Sequence, residues 1–560
     1  MVGSFVPSRQ DVDHDPTAPS PRARIWLLVV ACLAVSTVIS SMVALNSALP
    51  DIAVETSATQ SQLTWVVDGY TLVLACLLLP AGAFGDRYGR RRALLIGLAV
   101  FTVASVAPIL LDGPVELIVA RAVAGAGAAF VMPATLSLLT AAYPKSERNK
   151  AVGIWAGVVG SGAVLGFLVT GLLLEFWSWQ SIFWAFAGAG ALLFALACTV
   201  SSSRDDDAAP LDWPGAVLIG AAVAVFVFGV IEAPARGWTH PLAWGCMAAG
   251  VAFAVAFTAV ELRRTHPLLD VRLFARPDFA TGALGVTILF FANFGFFFVV
   301  IQYVQLVLGY RPLGSAVALA PLIVPIFILS VATGWYLPKV GLRVAATVGL
   351  LLIAAGLLCL RLLDVGSTYL DLVWPLLVMS TGIGFCTAPT TSAIMGAVPD
   401  EKQGVASAVN DATREIGAAL GIAVAGSILA GRYTAALAPD LARFPEPVRE
   451  RAAGSLAEAL AVAERIGPQG GPLAELAKTA FIDAMASSVL VLAVVIVIAA
   501  IFVAFWAPGR DGRQPRIVRR RGEGRHRSRD ELGRPVTDHD DGGVRSATGD
   551  VGQHRPVDHP

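Results

Sequence analysis

The chain has 560 residues, 56% of them hydrophobic and 15% charged, with a mean hydropathy of +0.69 and a formal net charge of zero. Soluble domains carry about 25% charged residues and about 45–50% apolar ones even with Gly counted, so a soluble enzyme and a disordered chain are both excluded. A bilayer span takes about 20 apolar residues, so this content suffices for roughly a dozen spans or more, and the composition specifies a polytopic membrane protein.

Residues 1–24 are polar and Pro-rich, without the features of a cleavable signal peptide. Apolar segments follow at about 25–49, 63–83, 93–112, 115–141, 150–174, 181–200, 214–232, 241–261, 279–307, 313–337, 344–363, 371–397, 404–431 and 480–507. In lipid every backbone amide must bond within its own segment, so these 14 spans are helices and the fold class is all-α. They divide into an N-terminal six-helix half at 25–200, a linker with two extra helices at 201–270, and a C-terminal six-helix half at 271–507. The C-terminal half includes an outer loop at 432–479 whose Ala, Glu and Arg content predicts short surface helices. The stretch 508–560 reads as a disordered tail, with Arg519, Arg520 and Arg521 near enough to the last helix to meet anionic headgroups.

Net charge is silent, but its distribution is not. With the N-terminus inside, the inner short segments hold 18 Lys and Arg; the outer short loops hold three, Arg236, Arg311 and Arg361. Short cytoplasmic loops carry the Lys and Arg, which places both termini in the cytoplasm. Arg far outnumbers Lys, which suggests a GC-rich bacterial coding sequence, hence a bacterial cell membrane. The six Cys lie in apolar stretches without disulfide or metal spacing, and no cofactor or metal is expected. No Lys follows a Gly, so no phosphate loop can be written. The inner loops hold no acid, His or metal constellation that would suit a membrane enzyme, and no nucleic-acid partner is implied.

The loop after the second segment reads Gly82-Ala-Phe-Gly-Asp86-Arg87-Tyr-Gly89-Arg90-Arg91-Arg92. The loop after the tenth, from Gly334 to Arg343, repeats its Gly, cation, Gly and Arg at an offset of 252 residues. Such an echo is the signature of an internal repeat. Asp68 and Arg121 are singled out as the intramembrane charges. A charge there costs about 2.5–3.5 kcal/mol on the insertion scale, so it faces a cavity or a partner. Each lies five or six residues from the outer end of its helix, roughly 8–9 Å deep, which predicts a pair that protonation of Asp68 would break. A permanent ion pair, or Asp68 binding a cationic substrate directly, is the alternative. All seven His fall outside the spans, which excludes a histidine relay. Phe290, Phe294 and Phe297 or Phe298 share one face of the ninth helix, beside Asn293 and Gln305. That face suits flat or cationic lipophiles, or plain packing. Asn46, Trp65, Asn293 and Gln305 complete the candidate cavity residues. Gly153/Gly157 and Gly162/Gly166 are small residues four apart, which lets helices approach.

The stretch Gly82–Leu94, GAFGDRYGRRRAL, resembles the loop signature of the major facilitator superfamily. LNSALP at 45–50, WVVDGYTLVLA at 65–75, RAVAGAG at 121–127, QLVLGYRPLGSAVALAPL at 305–322 and the run from Ala393 to Val424 resemble its 14-helix drug:proton antiporter family. The resemblance implies a secondary active exporter of lipophilic drugs, antibiotics or a metabolite, with protons as the coupling ion, working as a monomer. The residues themselves, by their matching depth, suggest Asp68 and Arg121 for proton coupling, with Asp68 replacing an acid the family carries elsewhere. The resemblance assigns Gly82, Asp86, Arg87, Gly89, Arg90, Asp411 and Arg414 to gating of the inner face, with Asp86 contacting the start of helix 13 where Asp411 and Arg414 lie. Ser41 stands where that family carries a membrane-embedded Asp, and Gly166-Phe167 where it carries Gly-Pro. The alternative is therefore an importer or facilitator of the same fold without antiport.

Overall fold

Among the described residues of the computed structural model, fourteen helices are long and apolar enough to cross a bilayer. They are α1 (Pro21–Ser47), α2 (Gln62–Tyr88), α3 (Arg90–Leu110), α4 (Pro114–Ala142), α5 (Lys145–Phe176), α6 (Gln180–Ala197), α7 (Trp213–Pro234), α8 (Pro241–Glu261), α9 (Pro277–Val307), α10 (Pro312–Val331), α11 (Thr333–Leu362), α12 (Tyr369–Gly396), α13 (Asp400–Leu441) and α14 (Leu456–Trp506). The structure describes residues 20–510 except 57, 59, 112, 202–211, 266, 442 and 443. The expectations for the tail, Arg519–Arg521 included, lie outside the described residues. No strand occurs among the described residues.

Local chemistry sets several starts. Ser20 accepts from Ala23 N at the head of α1, Asp212 accepts from Gly215 N at the head of α7, and Thr368 with Asp371 forms a reciprocal capping box on α12. Pro stands in the first turn of α1, α4, α7, α8, α9 and α10, where a missing N–H costs nothing. Apolar side chains such as Val103, Trp184 and Ile498 point outward, as the faces of a lipid-solvated bundle should.

Three boundaries differ from the sequence expectation for physical reasons. The loop expected around Gly82–Arg92 is only Gly89, because α2 continues to Tyr88 and α3 starts at Arg90. Gly89 has φ 107°, a conformation that side chains resist, so a glycine makes this one-residue corner possible. The second copy, expected as a loop at 334–343, is helical apart from a kink at Gly341, φ 78°. Finally, α13 runs on to Leu441, well past the expected 431. There Tyr433 donates to Ala452 O, Thr434 donates to Ala453 O, and Leu437 and Leu441 join Leu456, Ala459 and Leu473 in one apolar cluster. The outer segment is thus a small helical cap grown on α13 and α14.

The packing repeats itself. Within the first six helices α1 pairs with α5, α3 with α4, and α3 with α6; within the last six α9 pairs with α13, α11 with α12, and α11 with α14. Between these groups α2 crosses α13, and α5 crosses α10. Each pairing recurs eight helices later, which gives the sequence echo a structural counterpart. Of the extra helices, α7 wedges against both α2 and α13, with Val223 and Val227 against Ala75, Ile416 and Ala419, while Trp238 beyond its end donates to Ser427 Oγ at 2.8 Å. α8 packs on α7 and otherwise faces outward.

Candidate functional site

Two glycines let α2 and α13 cross at the Arg-rich end of the bundle. A Cβ on Gly82 would sit 2.5 Å from Gly404 O, and one on Gly404 would sit 2.5 Å from Gly82 O, so neither position tolerates a side chain. One turn beyond Gly82, Asp86 points at the first turn of α13. Its Oδ1 accepts from Gly404 N at 2.8 Å and its Oδ2 from Val405 N at 3.0 Å. These are amides that a helix start leaves unpaired, and the positive end of the helix dipole favours a carboxylate there. Arg90 grips the same carboxylate through Nε at 3.0 Å and Nη2 at 2.9 Å, and Nη2 also donates to Asp400 O and Glu401 O. Asp86 and Arg90 are buried, so the pair is shielded from screening. Arg148 adds an exposed pair with Asp400 at 2.9 Å beside a polar cleft of about 620 Å³. Arg87 lies against the Tyr88 ring at 5.3 Å. Together these contacts fasten one half to the other at this end.

Within the bundle a second set of charges is buried. Arg121 on α4 donates through Nη1 to Ser41 Oγ at 2.9 Å, through Nη2 to Ser41 O at 3.0 Å, and through Nε to Val66 O at 3.2 Å. Its guanidinium lies 4.2 Å from the centre of the Tyr70 ring, whose hydroxyl donates to Val38 O. Every one of these partners is neutral. On α13, Arg414 donates through Nη1 to Asp411 Oδ1 at 3.3 Å and through Nη2 to Thr391 Oγ1 at 3.3 Å. It lies 4.8 Å from the Trp155 ring of α5 and 5.2 Å from the Phe290 ring of α9. Asn410 donates to Asp411, and Glu415, four residues on from Asp411, is 4% exposed. Asp411 Oδ2, Arg414 Nε and Glu415 Oε2 are buried without a hydrogen-bond partner. Asp411, Arg414 and Glu415 thus form a concentrated polar patch in an otherwise apolar interior.

The expected residues fall into three groups. Gly82, Asp86, Gly89 and Arg90 meet at the α2–α13 crossing, with Arg87 at its edge. Asp411 and Arg414 do not join them: Asp86 meets Gly404 and Val405, and Asp411 lies seven residues farther on, about 10 Å deeper. The expected pairing of Asp68 with Arg121 is also corrected. Arg121 points into the α1–α2–α4 junction, whereas Asp68 lies on the face of α2 turned to α7, with Glu232 as its charged neighbour. Trp65 follows Asp68 to that face, stacking on Phe228 of α7 at 5.9 Å. Phe290 and Phe294 stack at 6.0 Å and Asn293 is buried beside them; Phe297 packs on Phe167, and Phe298 faces outward. Gln305 is half-buried in the last turns of α9, and Asn46 is exposed, donating to Val43 O of its own helix. Among the α5 glycines, Gly153 abuts Ser330 O of α10, while Gly162 and Gly166 abut Ile39 and Ser40 of α1.

Sequence reasoning missed Glu415, although its spacing of four from Asp411 puts both on one helical face. It also missed Glu232, which is held by Arg236 one turn later.

Three comparisons bear on the arrangement. A family model described as the Major Facilitator Superfamily matches residues 29–422. A multidrug resistance protein, Stp, of Mycobacterium tuberculosis is 34% identical over 76% of this chain and 80% of its own length. A tetracenomycin C resistance and export protein of Streptomyces glaucescens is 31% identical over 88% of this chain and 94% of its own. Among solved structures, a bacterial homologue of the human lysosomal transporter Spinster, inward-facing and unoccupied, superposes with a TM-score of 0.56. It covers 87% of this chain and 98% of its own at 17% identity, a likeness of fold alone.

Proposed function

The chain belongs to the major facilitator superfamily, and on that premise we propose that it exports lipophilic small molecules from a bacterial cell in exchange for protons. It is a secondary active transporter and not an enzyme, with relatives named for multidrug and antibiotic resistance. Our reading adds that it works as a monomer, with the Arg-rich end and both termini in the cytoplasm. The 18-to-3 bias of cations in short loops supports that orientation.

The observation that carries the proposal is the buried set of charges on opposing halves. Arg121 belongs to one half; Asp411, Arg414 and Glu415 belong to the other. Charges at membrane depth are expensive and mark ion or substrate pathways. The acids Asp68, Asp411 and Glu415 supply proton carriers, and Arg121 and Arg414 supply fixed cations whose interaction with them depends on protonation. Trp155, Phe290, Phe294 and Asn293 offer an aromatic, partly polar wall for a flat lipophile. The Asp86–Arg90 lock on the start of α13 closes the cytoplasmic end. Breaking it lets the halves rock about the interior, which is alternating access.

A second reading, a facilitator or importer without antiport, draws on the neutral partners of Arg121: Ser41 gives that guanidinium a hydroxyl and no charge. Liposomes containing the purified protein separate the two. Given an acidic lumen, they should accumulate ethidium or chloramphenicol above the level reached at equal pH. Equal uptake with and without the gradient, in both orientations of the gradient, selects the facilitator.

A further inference from the structure

The two extra helices meet at the Arg-rich end in a pair of acids that the transport site does not use. Asp212 caps the head of α7, its Oδ1 accepting from Gly215 N at 3.2 Å. Glu261 is the last residue of α8, and its Oε2 accepts from Leu269 N at 3.4 Å, in the stretch that leads to α9. Asp212 is 9% exposed and Glu261 3%. The remaining oxygen of each, Asp212 Oδ2 and Glu261 Oε1, is buried without a hydrogen-bond donor. Those two oxygens converge: a Cβ on Gly215 would collide with Glu261 Oε1 and stand 3.1 Å from Asp212 Oδ2. Asp212 is the side chain within hydrogen-bonding range of Glu261. Two acceptors that face each other need one hydrogen between them.

We propose that Asp212 and Glu261 are a proton-binding site, in which Glu261 Oε1–H donates to Asp212 Oδ2, and that this shared proton pins the linker between the two halves. The helix ends decide where the proton sits. Asp212 lies at the positive end of α7 and Glu261 at the negative end of α8, so the first is favoured as the carboxylate and the second as the acid. Arg264 Nε, 3.7 Å from Asp212 Oδ2 on a half-exposed side chain, reinforces the anion at Asp212 from the solvent side. Among the described residues, the other groups near the pair are neutral or turned to solvent. Leu268 and Leu269 present backbone amides to Glu261. Asp270 accepts from Arg272 N in its own turn, and Arg263 and Arg272 are exposed. Loss of the proton sets two carboxylates against each other in a buried site, a state that drives them apart. What parts is a three-way junction: the head of α7, the tail of α8 and the entry to α9, held over Ala216, Phe257, Leu268 and Leu269 of the apolar core. Because α7 lies along the α2–α13 seam, the protonation of this pair governs how firmly the linker grips that seam. The site reads the pH at the Arg-rich end, the cytoplasm in the orientation proposed above. It requires no exchange of protons for substrate, so it stands or falls apart from the coupling mechanism.

Two measurements on the full-length protein in lipid nanodiscs test this. Infrared spectra of wild type minus Glu261→Gln should show the carbonyl band of one protonated carboxyl, lost as the medium is made alkaline. Hydrogen exchange read by mass spectrometry, corrected for the intrinsic rise of amide exchange with pH, should find residues 262–272 protected while that band is present. Once the band is gone, exchange of the same segment should quicken by about tenfold or more. In Glu261→Gln the side-chain NH2 replaces the shared proton, so the segment should stay protected at every pH, which also shows that the variant is folded. Gly215→Ala, which puts a methyl between the two oxygens, should leave the segment unprotected even in acid while α14 keeps its wild-type protection. His266, in the same stretch, lies outside the described residues, and His266→Gln should behave as wild type. Absence of a carboxyl band that depends on Glu261 overturns the proposal, and so does the same alkaline loss of protection in wild type and Glu261→Gln. Abolition of the pH response by His266→Gln would assign the titration to the histidine and overturn it equally.

Discussion

Asp86 does more at the Arg-rich end than any other single side chain. It accepts two α13 amides and both donors of Arg90, all within a buried junction. Charge-assisted hydrogen bonds contribute about 1.5–3 kcal/mol each, and more is lost when the partner stays buried. Asp86→Asn keeps one acceptor and sets an NH2 against an amide, so the closed lock should lose about 2 kcal/mol, roughly 30-fold in population. Spin labels at Tyr88 and Lys402, both exposed, should report a short distance in wild type and a second, longer one in the variant. An unchanged distance distribution would remove the lock from the account. Gly404→Val should be worse, because its branches would enter the Gly82 carbonyl and Asp86. Transport should fall about tenfold or more with the protein still in the membrane, as measured by flux per immunodetected molecule. The sequence motif made Gly82, Asp86 and Arg90 legible. It did not reveal that Asp86 meets Gly404 and Val405 rather than Asp411, because a charged partner is easier to name from sequence than an unpaired amide.

Among the helices, α7 has the least precedent in the internal repeat and the clearest packing task. It seals the seam between α2 and α13 with Val223 and Val227, and stacks Phe228 on Trp65. A charge placed there meets apolar neighbours at membrane depth. Val227→Asp should cost about 2.5–3.5 kcal/mol on the insertion scale. It should lower membrane abundance and the thermal unfolding midpoint, whereas Val217→Asp on the exposed side of the same helix should disturb α2–α13 packing less. Equal loss in both variants would mean that insertion, not the seam, is the cause. Hydropathy located every one of the 14 spans, since each is a long apolar run. It misplaced ends where helices continue past the apolar part, as α13 does to Leu441, and at the corner that Gly89 turns in one residue. Pairing Asp68 with Arg121 failed for a related reason: equal depth was taken as contact, but rotation about the helix axis sends Asp68 toward α7 and Arg121 toward Ser41.

For the molecule as a whole, the distribution of cations predicts topology. A cysteine at Arg361 should react with a membrane-impermeant maleimide in intact cells, and one at Lys402 only after permeabilisation; the reverse pattern would invert the bundle. The pairing of helices at an offset of eight makes the halves equivalent bodies, joined by the α2–α13 and α5–α10 crossings around a charged interior. On the proposed function, rocking about that interior moves a substrate, and protons supply the free energy only if substrate and proton movements are linked. Ethidium is permanently charged and carries no titratable proton across on its own account near neutral pH. Liposomes holding the protein and a luminal pH dye, at equal pH on both sides, are therefore the most direct test. Adding ethidium outside should make the lumen alkaline as protons leave in exchange. Ethidium entry with no change in luminal pH would contradict the account.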